Sequence, residues 1–481
     1  MAEPHHHQSL KIIERCSISP PPNSVPPTSI PLTFLDLPWF LLPPLQRIFF
    51  YELSQPNQIM ETVVPTLKHS LSLTLKHFFP FAGNIVVPPQ PNNILPHILY
   101  SNGDSVPFTV AESNQDFNYF VNHAPTDLTH INFLAPVFPS PRTRQDGAKL
   151  LPLLAVQITV LPNYGFSMCI GFNHVVADGR ALHQFIKFWA SVCKSRGEDM
   201  DSIQESLQLP LHNRDTIIED SNELKFVFLE ELSSSFPKIV ESFGTPVDVP
   251  NDKARVTFSL SREQVEKIKK WITNECNKIG LKTESLRIST YVVTCSLLWV
   301  CLVKYYYKNT HDVGNNSVSC ETCKFIFPAD CRNCQELSIP STYFGNCINR
   351  PVVELEKSKL VGKNGIVEAA IAIEGIIREF KCDGFKGIEN LVSHLKEFKK
   401  PEGCKVIATG SAKHGVYESD FGWGKPKKSD SVHVMPSKIF TLCDSKDGSG
   451  GVEIGLTLER NQIEYFNSVM KEHIRSIVGC D

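Results

Sequence analysis

The chain has 481 residues, of which 42% are hydrophobic, 21% charged and 10% aromatic. This composition is typical of a globular protein, and the length favours two domains over a single core. The formal net charge is -3, so the chain has no excess of basic residues of the kind that nucleic-acid binding requires. Nucleic acid is therefore not expected as a partner.

The sequence predicts neither a membrane segment nor a secretory leader. Residues 1–7 lack the basic and apolar parts of a leader, and the apolar stretch 291–303 is shorter than the roughly 20 residues of a membrane span. We therefore expect a cytoplasmic protein without a membrane partner. In that compartment the 15 cysteines are expected to be reduced thiols.

Two closely spaced pairs of cysteines raise the question of a zinc site. The pairs are Cys320 with Cys323 and Cys331 with Cys334, and only seven residues separate them. The usual four-thiolate pattern has about 15 to 20 residues at that place, and 324–327 is typical of a strand that enters a core. We expect structural thiols and no metal, with structural zinc as the alternative.

In the first half of the chain, proline content and apolar spacing predict the elements. Prolines are frequent in the first forty residues, which are expected to run as an extended arm over the surface. Apolar residues at intervals of three and four predict an amphipathic helix over 61–79. Further on, 150–161 and 165–176 are predicted to form a hairpin, followed by a helix that begins near Asp178.

The second half continues the alternation of strands and helices. The stretch 194–252 is broken by charged and turn-forming residues and is the candidate crossover segment. The elements predicted after it are strands at 254–260, 324–327, 438–442 and 451–458 and helices at 262–279, 289–303 and 462–478. We predict an α/β protein with an N-terminal domain over 1–205, a linker over 206–252 and a C-terminal domain over 253–481.

His174 is the candidate general base, because it stands where a buried strand gives way to the small-residue turn 174–179, HVVADG. A neutral imidazole can accept the proton of a hydroxyl that attacks a carbonyl. Asp178 is the second polar group, and paired with an arginine it would hold the loop. The ordinary alternatives are a core or surface histidine and an aspartate that caps a helix. With 16 histidines in the chain, this pattern is weak by itself.

Two further segments make the His-x-x-x-Asp pattern more specific. Residues 420–424 read DFGWG, and residues 343–347 read YFGNC. Together with the His-x-x-x-Asp segment they resemble the signatures of the BAHD acyltransferase family. The segment 343–347 looks like that of the clade that acylates anthocyanins, flavonoids and phenolic glycosides, often with malonyl groups. The resemblance extends over essentially the whole chain and includes 32–36 and 80–83.

The resemblance implies a two-domain chloramphenicol acetyltransferase-like fold, in which mixed sheets with flanking helices enclose a channel between the domains. It implies that His174 is the general base facing this channel and that Asp178 is structural, in a salt bridge with an arginine. Arg332 is the candidate partner, and an ordinary surface charge is an equal alternative. A monomer without a permanently bound cofactor or metal is expected.

The segment 420–424 is similar to a family segment that shapes the coenzyme A end of the channel. Asp420 is expected to brace the loop, while Gly422 and Gly424 suit its tight backbone geometry. Trp423 is expected to pack, and donation of its indole N–H to the developing oxyanion is the alternative.

Four residues are candidate contacts of the acyl-CoA. By analogy of position these are Lys425, Ser289 and Thr290 for the coenzyme A phosphates. Arg180 lies just beyond the base and is expected to pair with the free carboxylate of a malonyl group. A solvent-facing charge is the alternative, although the first turn of a helix is electrostatically unfavourable for a cation.

The implied activity is transfer of an acyl group from acyl-CoA, expected to be malonyl-CoA, to a sugar hydroxyl of a flavonoid, anthocyanin or phenolic glucoside. Residues 175–177 read VVA, whereas the corresponding positions of malonyltransferases often read AVL. Hydroxycinnamoyl and acetyl donors therefore stay open as alternatives. A catalytically silent binding homologue is a further alternative, but it would be expected to lose one of the signatures.

Overall fold

The computed structural model describes residues 10–53, 58–89, 95–122, 124–162, 164–245, 249–281, 286–307, 321–398, 400, 403–432, 438–448 and 450–479. The strands are β1 Leu10–Ile18, β2 Thr28–Pro31, β3 Leu45–Glu52, β4 Asn84–Val87, β5 His97–Tyr100, β6 Val106–Ser113, β7 Thr126–Asp127, β8 Arg142–Thr143, β9 Lys149–Pro152, β10 Leu154–Leu161, β11 Gly165–Phe172, β12 Lys253–Leu260, β13 Thr322–Ile326, β14 Ala329–Asp330, β15 Ile348–Asn349, β16 Val352–Glu356, β17 Lys405–Gly410, β18 Lys428–Ser431, β19 Ile439–Asp444 and β20 Val452–Glu459.

The α-helices are α1 Val64–Leu75, α2 Phe117–Val121, α3 Leu128–Asn132, α4 Gly179–Lys194, α5 Met200–Leu207, α6 Arg214–Ile217, α7 Leu224–Ser233, α8 Phe236–Ser242, α9 Arg262–Lys278, α10 Thr290–Tyr307, α11 Lys357–Val361, α12 Gly365–Cys382, α13 Leu391–Phe398 and α14 Ile463–Val478. Within the described ranges, no helix is both long and apolar enough to cross a membrane.

Two large mixed sheets carry the fold. One has six strands in the order β1-β6-β10-β11-β3-β18, and the other has seven in the order β16-β13-β17-β19-β20-β12-β7. Each takes one strand from the other half of the chain, because β18 pairs with β3 and β7 pairs with β12. A five-stranded sheet, β2-β5-β4-β9-β8, and the pair β14-β15 complete the strands. Backbone hydrogen bonds thus join the two halves of the chain.

The predicted hairpin and the helix after it are present. β10 and β11 pair antiparallel, with Leu161 opposite Gly165 and Leu154 opposite Phe172. All residues of β11 are buried, which agrees with its largely apolar sequence, in which Ser167 is the one polar side chain. Asp178 caps α4 by accepting a hydrogen bond from the backbone N–H of Ala181. Strand and capped helix therefore hold both ends of the turn that carries His174.

Most other predicted elements are also found. The helix predicted over 61–79 is α1, and the strands and helices predicted after residue 252 all lie within a few residues of their expected bounds. The stretch 194–252 contains four short helices, α5 to α8. The assignment of 206–252 as a linker between two domains stays a prediction.

The surface arm predicted for the first forty residues is wrong beyond β2. After Pro31 the chain turns inward and forms a 3₁₀ helix at Leu37–Leu41, whose five residues are all buried. Prolines do interrupt regular structure here, but Phe34, Leu35 and Trp39 are each at most 2% exposed. Burying such large apolar side chains is more favourable than leaving them in water.

The expectation of reduced thiols is wrong for two cysteines, because Cys323 and Cys404 form a disulfide. β13 and β17 are parallel neighbours with Lys324 opposite Lys405, so the cysteines that precede these lysines lie side by side. The two are 81 residues apart in sequence, and no local pattern links them.

The disulfide also changes the interpretation of the cysteine cluster. Cys331 and Cys334 are buried free thiols, whereas Cys320 lies outside the described residues. In the described part of the chain, no group of three or more histidine, cysteine, aspartate or glutamate side chains is arranged to hold a metal ion.

Candidate active site

Aromatic rings hold the side chain of His174, which is 7% exposed. Its imidazole stacks on Trp39 with ring centroids 4.1 Å apart and planes at 16°, and it lies 5.7 Å from the ring of Phe172. Trp39 is fixed in turn by its indole N–H, which donates to the carbonyl of Leu35 at 2.8 Å. The imidazole is therefore held between rigid neighbours.

A hydrogen bond to Asn346 decides which nitrogen of His174 carries the proton. Nδ1 is 3.0 Å from Oδ1 of Asn346. The carboxamide is oriented by its Nδ2, which donates to Asp36 and to the carbonyls of His174 and Val175. Because Oδ1 must then accept, Nδ1 of the imidazole donates. The lone pair lies on Nε2, for which the described residues provide no hydrogen-bond partner.

The surroundings of His174 keep its ring neutral. Burial lowers its pKa from 6.5 to about 4, because the imidazolium loses its hydration. The charge of Asp178 and the hydrogen bond to Asn346 oppose this shift, and the charge of Arg350 adds to it. At neutral pH the ring can accept a proton but carries none on Nε2.

The carboxylate of Asp36, which is fully buried, anchors Asn346 from the other side. Its Oδ1 accepts from the backbone N–H of Asn346 at 3.1 Å as well as from Nδ2 at 3.0 Å. Its Oδ2 is 3.1 Å from Nη1 of Arg214, and neither side chain is exposed. Arg214 also donates to the carbonyl of Val176. A buried ion pair thus connects the chain before β3 to the turn that carries His174.

The side chain of Asp178 has no contact with the imidazole. Its Oδ1 accepts from the backbone N–H of Ala181, and its Oδ2 accepts from Nη1 of Arg332 at 2.8 Å and from the backbone N–H of Cys347 at 2.9 Å. Burial by itself would raise the pKa of Asp178, but the charge and hydrogen bond of Arg332 outweigh it and hold the pKa below its ordinary value. These contacts fit a structural brace.

Arg332 extends this brace to the segment 343–347. Its Nη2 donates to the carbonyls of Tyr343 and Gly345, and its Nη1 binds Asp330 in addition to Asp178. With 1% of its side chain exposed, Arg332 is not a surface charge. It fixes the backbone that presents Asn346 to His174.

Arg180 belongs to the outer part of the same network. Its Nη1 is 3.0 Å from Oδ2 of Asp330, and 39% of its side chain is exposed. The guanidinium of Arg180 is therefore already paired with a carboxylate of the protein, that of Asp330. Its role towards a malonyl carboxylate stays a prediction.

The segment 420–424 lies far from His174, and its expected place at the coenzyme A end of the channel stays a prediction. Asp420 binds Lys194 at 2.7 Å, the last residue of α4, whereas Asp178 caps the first turn. A helix of 16 residues is roughly 24 Å long. Because the glycine-rich segment 420–424 packs at the far end of α4, Trp423 is remote from the imidazole.

The contacts within 420–424 are those of a braced turn. Oδ1 of Asp420 accepts from the backbone N–H of both Gly422 and Gly424 at 2.9 Å. Gly422 and Gly424 have φ angles of 105° and 93°, a region that glycine adopts without strain. Trp423 is partly buried and packs edge-on against Phe166. These positions fit the expected packing role of Trp423 rather than the alternative of an oxyanion contact.

The predicted coenzyme A contacts lie on two separate elements. Lys425 is exposed beside Trp423 and lines an open surface groove. Ser289 and Thr290 lie at the start of α10, where Oγ of Ser289 accepts from the backbone N–H of Val292. The structure does not bring these residues together, and their role in binding coenzyme A stays a prediction.

The sequence did not assign a role to four residues that hold His174. Asp36 and Asn346 lie in segments that carried the family resemblance, so buried polar residues there were a usable signal. Trp39 and Arg214 gave no such signal, because Trp39 lies in the presumed arm and Arg214 in the presumed linker.

The chain is similar to known acyltransferases over nearly its whole length. A family model described as the Transferase family matches residues 8–473. The chain is 36% identical to a coumaroyl-CoA:anthocyanidin 3-O-glucoside-6''-O-coumaroyltransferase of Arabidopsis thaliana, over 98% of each chain. It is 34% identical to a malonyl-coenzyme:anthocyanin 5-O-glucoside-6'''-O-malonyltransferase of Salvia splendens, over 97% of this chain and 96% of the relative.

The crystal structure of vinorine synthase has a similar fold, with a TM-score of 0.67, 17% identity and coverage of 98% of both chains. This likeness confirms the expected chloramphenicol acetyltransferase-like fold. At this identity the likeness shows the fold alone.

Replacement of Arg332 by methionine is expected to lower the free energy of unfolding by about 3 to 5 kcal/mol, because it leaves the buried carboxylate of Asp178 without its cation. Arg180→Met is the matched control, since it removes a partly exposed partner of Asp330 and should cost about 1 kcal/mol or less. Urea unfolding of both variants measures the difference. Equal losses would show that the Asp178–Arg332 pair is not the brace.

The acid limb of kcat/KM should lie near pH 4, because the pKa of His174 is lowered to about 4 and only the neutral ring accepts a proton. As the pH falls from 7 to 5, the imidazole stays neutral and kcat/KM should change little. Circular dichroism at each pH verifies that the protein is folded. A limb near pH 6.5 in a folded protein would contradict the assignment of His174.

Proposed function

This chain belongs to the Transferase family, the BAHD acyltransferases, and on that premise we propose that it transfers a malonyl group from malonyl-CoA to a sugar hydroxyl of a flavonoid, anthocyanin or phenolic glucoside. The enzyme is an O-acyltransferase that uses acyl-CoA as its co-substrate. The observation that carries the mechanism is the unpaired Nε2 of a buried, neutral His174 whose Nδ1 donates to Asn346.

The reaction needs one proton carrier. Nε2 of His174 takes the proton of the acceptor hydroxyl as that oxygen attacks the thioester carbonyl. The new bond joins the acceptor oxygen to the acyl carbon, and the bond that breaks joins this carbon to the sulfur of coenzyme A. The imidazolium then returns the proton to the leaving thiolate, so His174 ends the cycle neutral.

The groups around His174 support the transient imidazolium. The hydrogen bond from Nδ1 to Asn346 holds the ring in one orientation, and the buried charge of Asp178 favours the protonated form. These groups are in place before the reaction, so no reorganisation of the site is required at the moment of proton transfer. Asp178 acts through its field and through the loop, and it stays bound to Arg332.

The full-length relatives support a glycoside acceptor. The Arabidopsis and Salvia proteins are named as acyltransferases of anthocyanidin or anthocyanin glucosides, and two phenolic glucoside malonyltransferases of Arabidopsis are 29% and 31% identical. All four share a glucoside acceptor in their names. A free sugar hydroxyl is therefore the acceptor that we propose.

Coumaroyl transfer is the second candidate. Two coumaroyltransferases of Arabidopsis are 36% and 35% identical to this chain, against 34% and 32% for the malonyltransferases of Salvia and Dahlia. These differences are too small to choose a donor. The choice between the two donors depends on whether a positively charged side chain lies where the free carboxylate of a malonyl group would bind.

We also propose that the enzyme works as a cytoplasmic monomer that holds no cofactor permanently. Size-exclusion chromatography with light scattering tests the oligomeric state, for which a mass near 54.0 kDa is expected. A mass near twice that value would contradict the proposal.

Replacement of His174 by alanine should lower kcat by about 10²- to 10⁴-fold, because the general base is lost. The protein should still fold, which near-ultraviolet circular dichroism checks. Retention of more than about a tenth of the wild-type rate would refute the role of His174.

Donor and acceptor are tested together with a small panel. Malonyl-, acetyl- and coumaroyl-CoA are each incubated with flavonoid, anthocyanin and phenolic glucosides and with the corresponding aglycones, and product masses are read. We expect a mass increase of one malonyl group on the glucosides only. Preferred coumaroyl transfer would establish the second candidate, and acylation of aglycones would exclude a sugar acceptor.

A further inference from the structure

A second group of basic residues lies beside the His174 turn. Arg47 in β3 is 8% exposed. It makes no ion pair or side-chain hydrogen bond with any residue that the structure describes, yet its guanidinium nitrogens are not sealed from solvent. A nearly buried cation without an acid partner is costly. The carboxylates of Asp178, Asp330 and Asp444 act on the neighbouring His414, but none of the three forms an ion pair with Arg47. The position of Arg47 therefore suits an anion that a ligand brings.

Two histidines accompany Arg47. The rings of His183 and His414 stack, with centroids 4.7 Å apart and planes at 9°. Nδ1 of His183 donates to the carbonyl of Gly179 at 2.6 Å, and its buried Nε2 has no hydrogen-bond partner among the described residues. His183 itself is 5% exposed, so this nitrogen is an unsatisfied polar atom in the interior.

The three side chains share one electrostatic environment. Burial lowers the pKa of His414 to about 4, and the charge of Arg47 adds to this effect, whereas the charges of Asp178, Asp330 and Asp444 oppose it. Burial and then the charges of His414 and Arg47 lower the pKa of His183 as well. Both rings are thus neutral at pH 7. A carboxylate placed among them would favour protonation of Nε2 of His183, which would turn this atom into a donor.

The first turn of α4 contributes the fourth part of this site. Nε2 of His414 would lie 3.2 Å from a Cβ atom at Gly179, the first residue of α4. The N-terminal end of a helix of 16 residues carries a partial positive charge, and Asp178 already accepts the backbone N–H of Ala181 there. The basic pocket therefore consists of Arg47, His183, His414 and this helix end.

The basic pocket lies close to the reacting groups. Arg47 is opposite Ile170 across β3 and β11, and Phe172, the next residue on the same face of β11, has its ring 5.7 Å from His174. On the other side, Gly179 follows directly after Asp178. The pocket is therefore bordered by the strand that leads to His174 and by the helix that follows it.

Resting on the proposed acyl transfer, we propose that the basic pocket of Arg47, His183 and His414 binds the free carboxylate of a dicarboxylic acyl donor of the malonyl type. Arg180 is less suited to this role, because Asp330 already binds its guanidinium. Arg47 is then the residue that distinguishes malonyl-CoA from acetyl-CoA, which differ by one carboxylate.

The test compares Arg47→Met with Arg180→Met as a matched control. Both variants lose one guanidinium near α4, but only Arg47→Met removes a residue of the basic pocket. With malonyl-CoA and a glucoside acceptor, Arg47→Met should lower kcat/KM by roughly 10- to 100-fold, the loss of one charge-assisted hydrogen bond, and acetyl-CoA should be affected less than about threefold. Arg47→Lys keeps the charge and should retain more of the malonyl preference.

A binding measurement separates this inference from the proposed function. Calorimetry on the His174→Ala variant gives Kd for malonyl-CoA and acetyl-CoA without turnover and without an acceptor. We expect tighter binding of malonyl-CoA, and loss of this difference when Arg47→Met is added. Circular dichroism confirms folding, and a misfolded variant is replaced by Arg47→Gln.

Three outcomes would overturn the inference. Equal losses for both donors would assign Arg47 to the coenzyme A phosphates or to the fold, since both donors carry the same coenzyme A. A larger malonyl-specific loss in Arg180→Met would assign the carboxylate to Arg180. Equal Kd values for the two donors in His174→Ala would exclude a carboxylate site, whatever acyl transfer the wild-type enzyme performs.

Discussion

The carboxamide of Asn346 is the group on which the active site depends. Its oxygen accepts from Nδ1 of His174, and its nitrogen donates to Asp36 and to the carbonyls of His174 and Val175. An amide with its nitrogen so occupied can present only its oxygen to the imidazole. The free lone pair of the proposed base is therefore placed by one neutral side chain, and the carboxylates of Asp36 and Asp178 make no hydrogen bond to the ring.

Two buried ion pairs hold this carboxamide in position from opposite sides. Asp36 and Arg214 fix its nitrogen, and Asp178 and Arg332 fix the backbone of 343–347. The four charged residues come from four separate stretches of the chain. Breaking either pair would leave an uncompensated charge in the interior, so both pairs favour the arrangement of these stretches that keeps the partners in contact.

Helix α4 separates the chemistry from the glycine-rich segment 420–424. Asp178 caps its first turn, and Lys194 at its last turn binds Asp420. The strand that follows 420–424, β18, joins the sheet of the N-terminal half beside β3. The segment thus lies where a strand of the C-terminal half joins the N-terminal sheet, and it shares α4 with the turn that carries His174.

Local patterns in the sequence were sufficient to predict the family, the α/β class, and the hairpin and capped helix around His174. These follow from local patterns, because apolar spacing, a capping aspartate and short signatures are readable along the chain. The tertiary structure decided the partners of His174, the burial of 37–41, the disulfide between Cys323 and Cys404, and the distance of Trp423 from the base. These depend on contacts between residues far apart in sequence, such as Asp36 and Asn346 at a separation of 310. Which face a side chain presents to a distant partner is fixed only when the sheets and α4 pack.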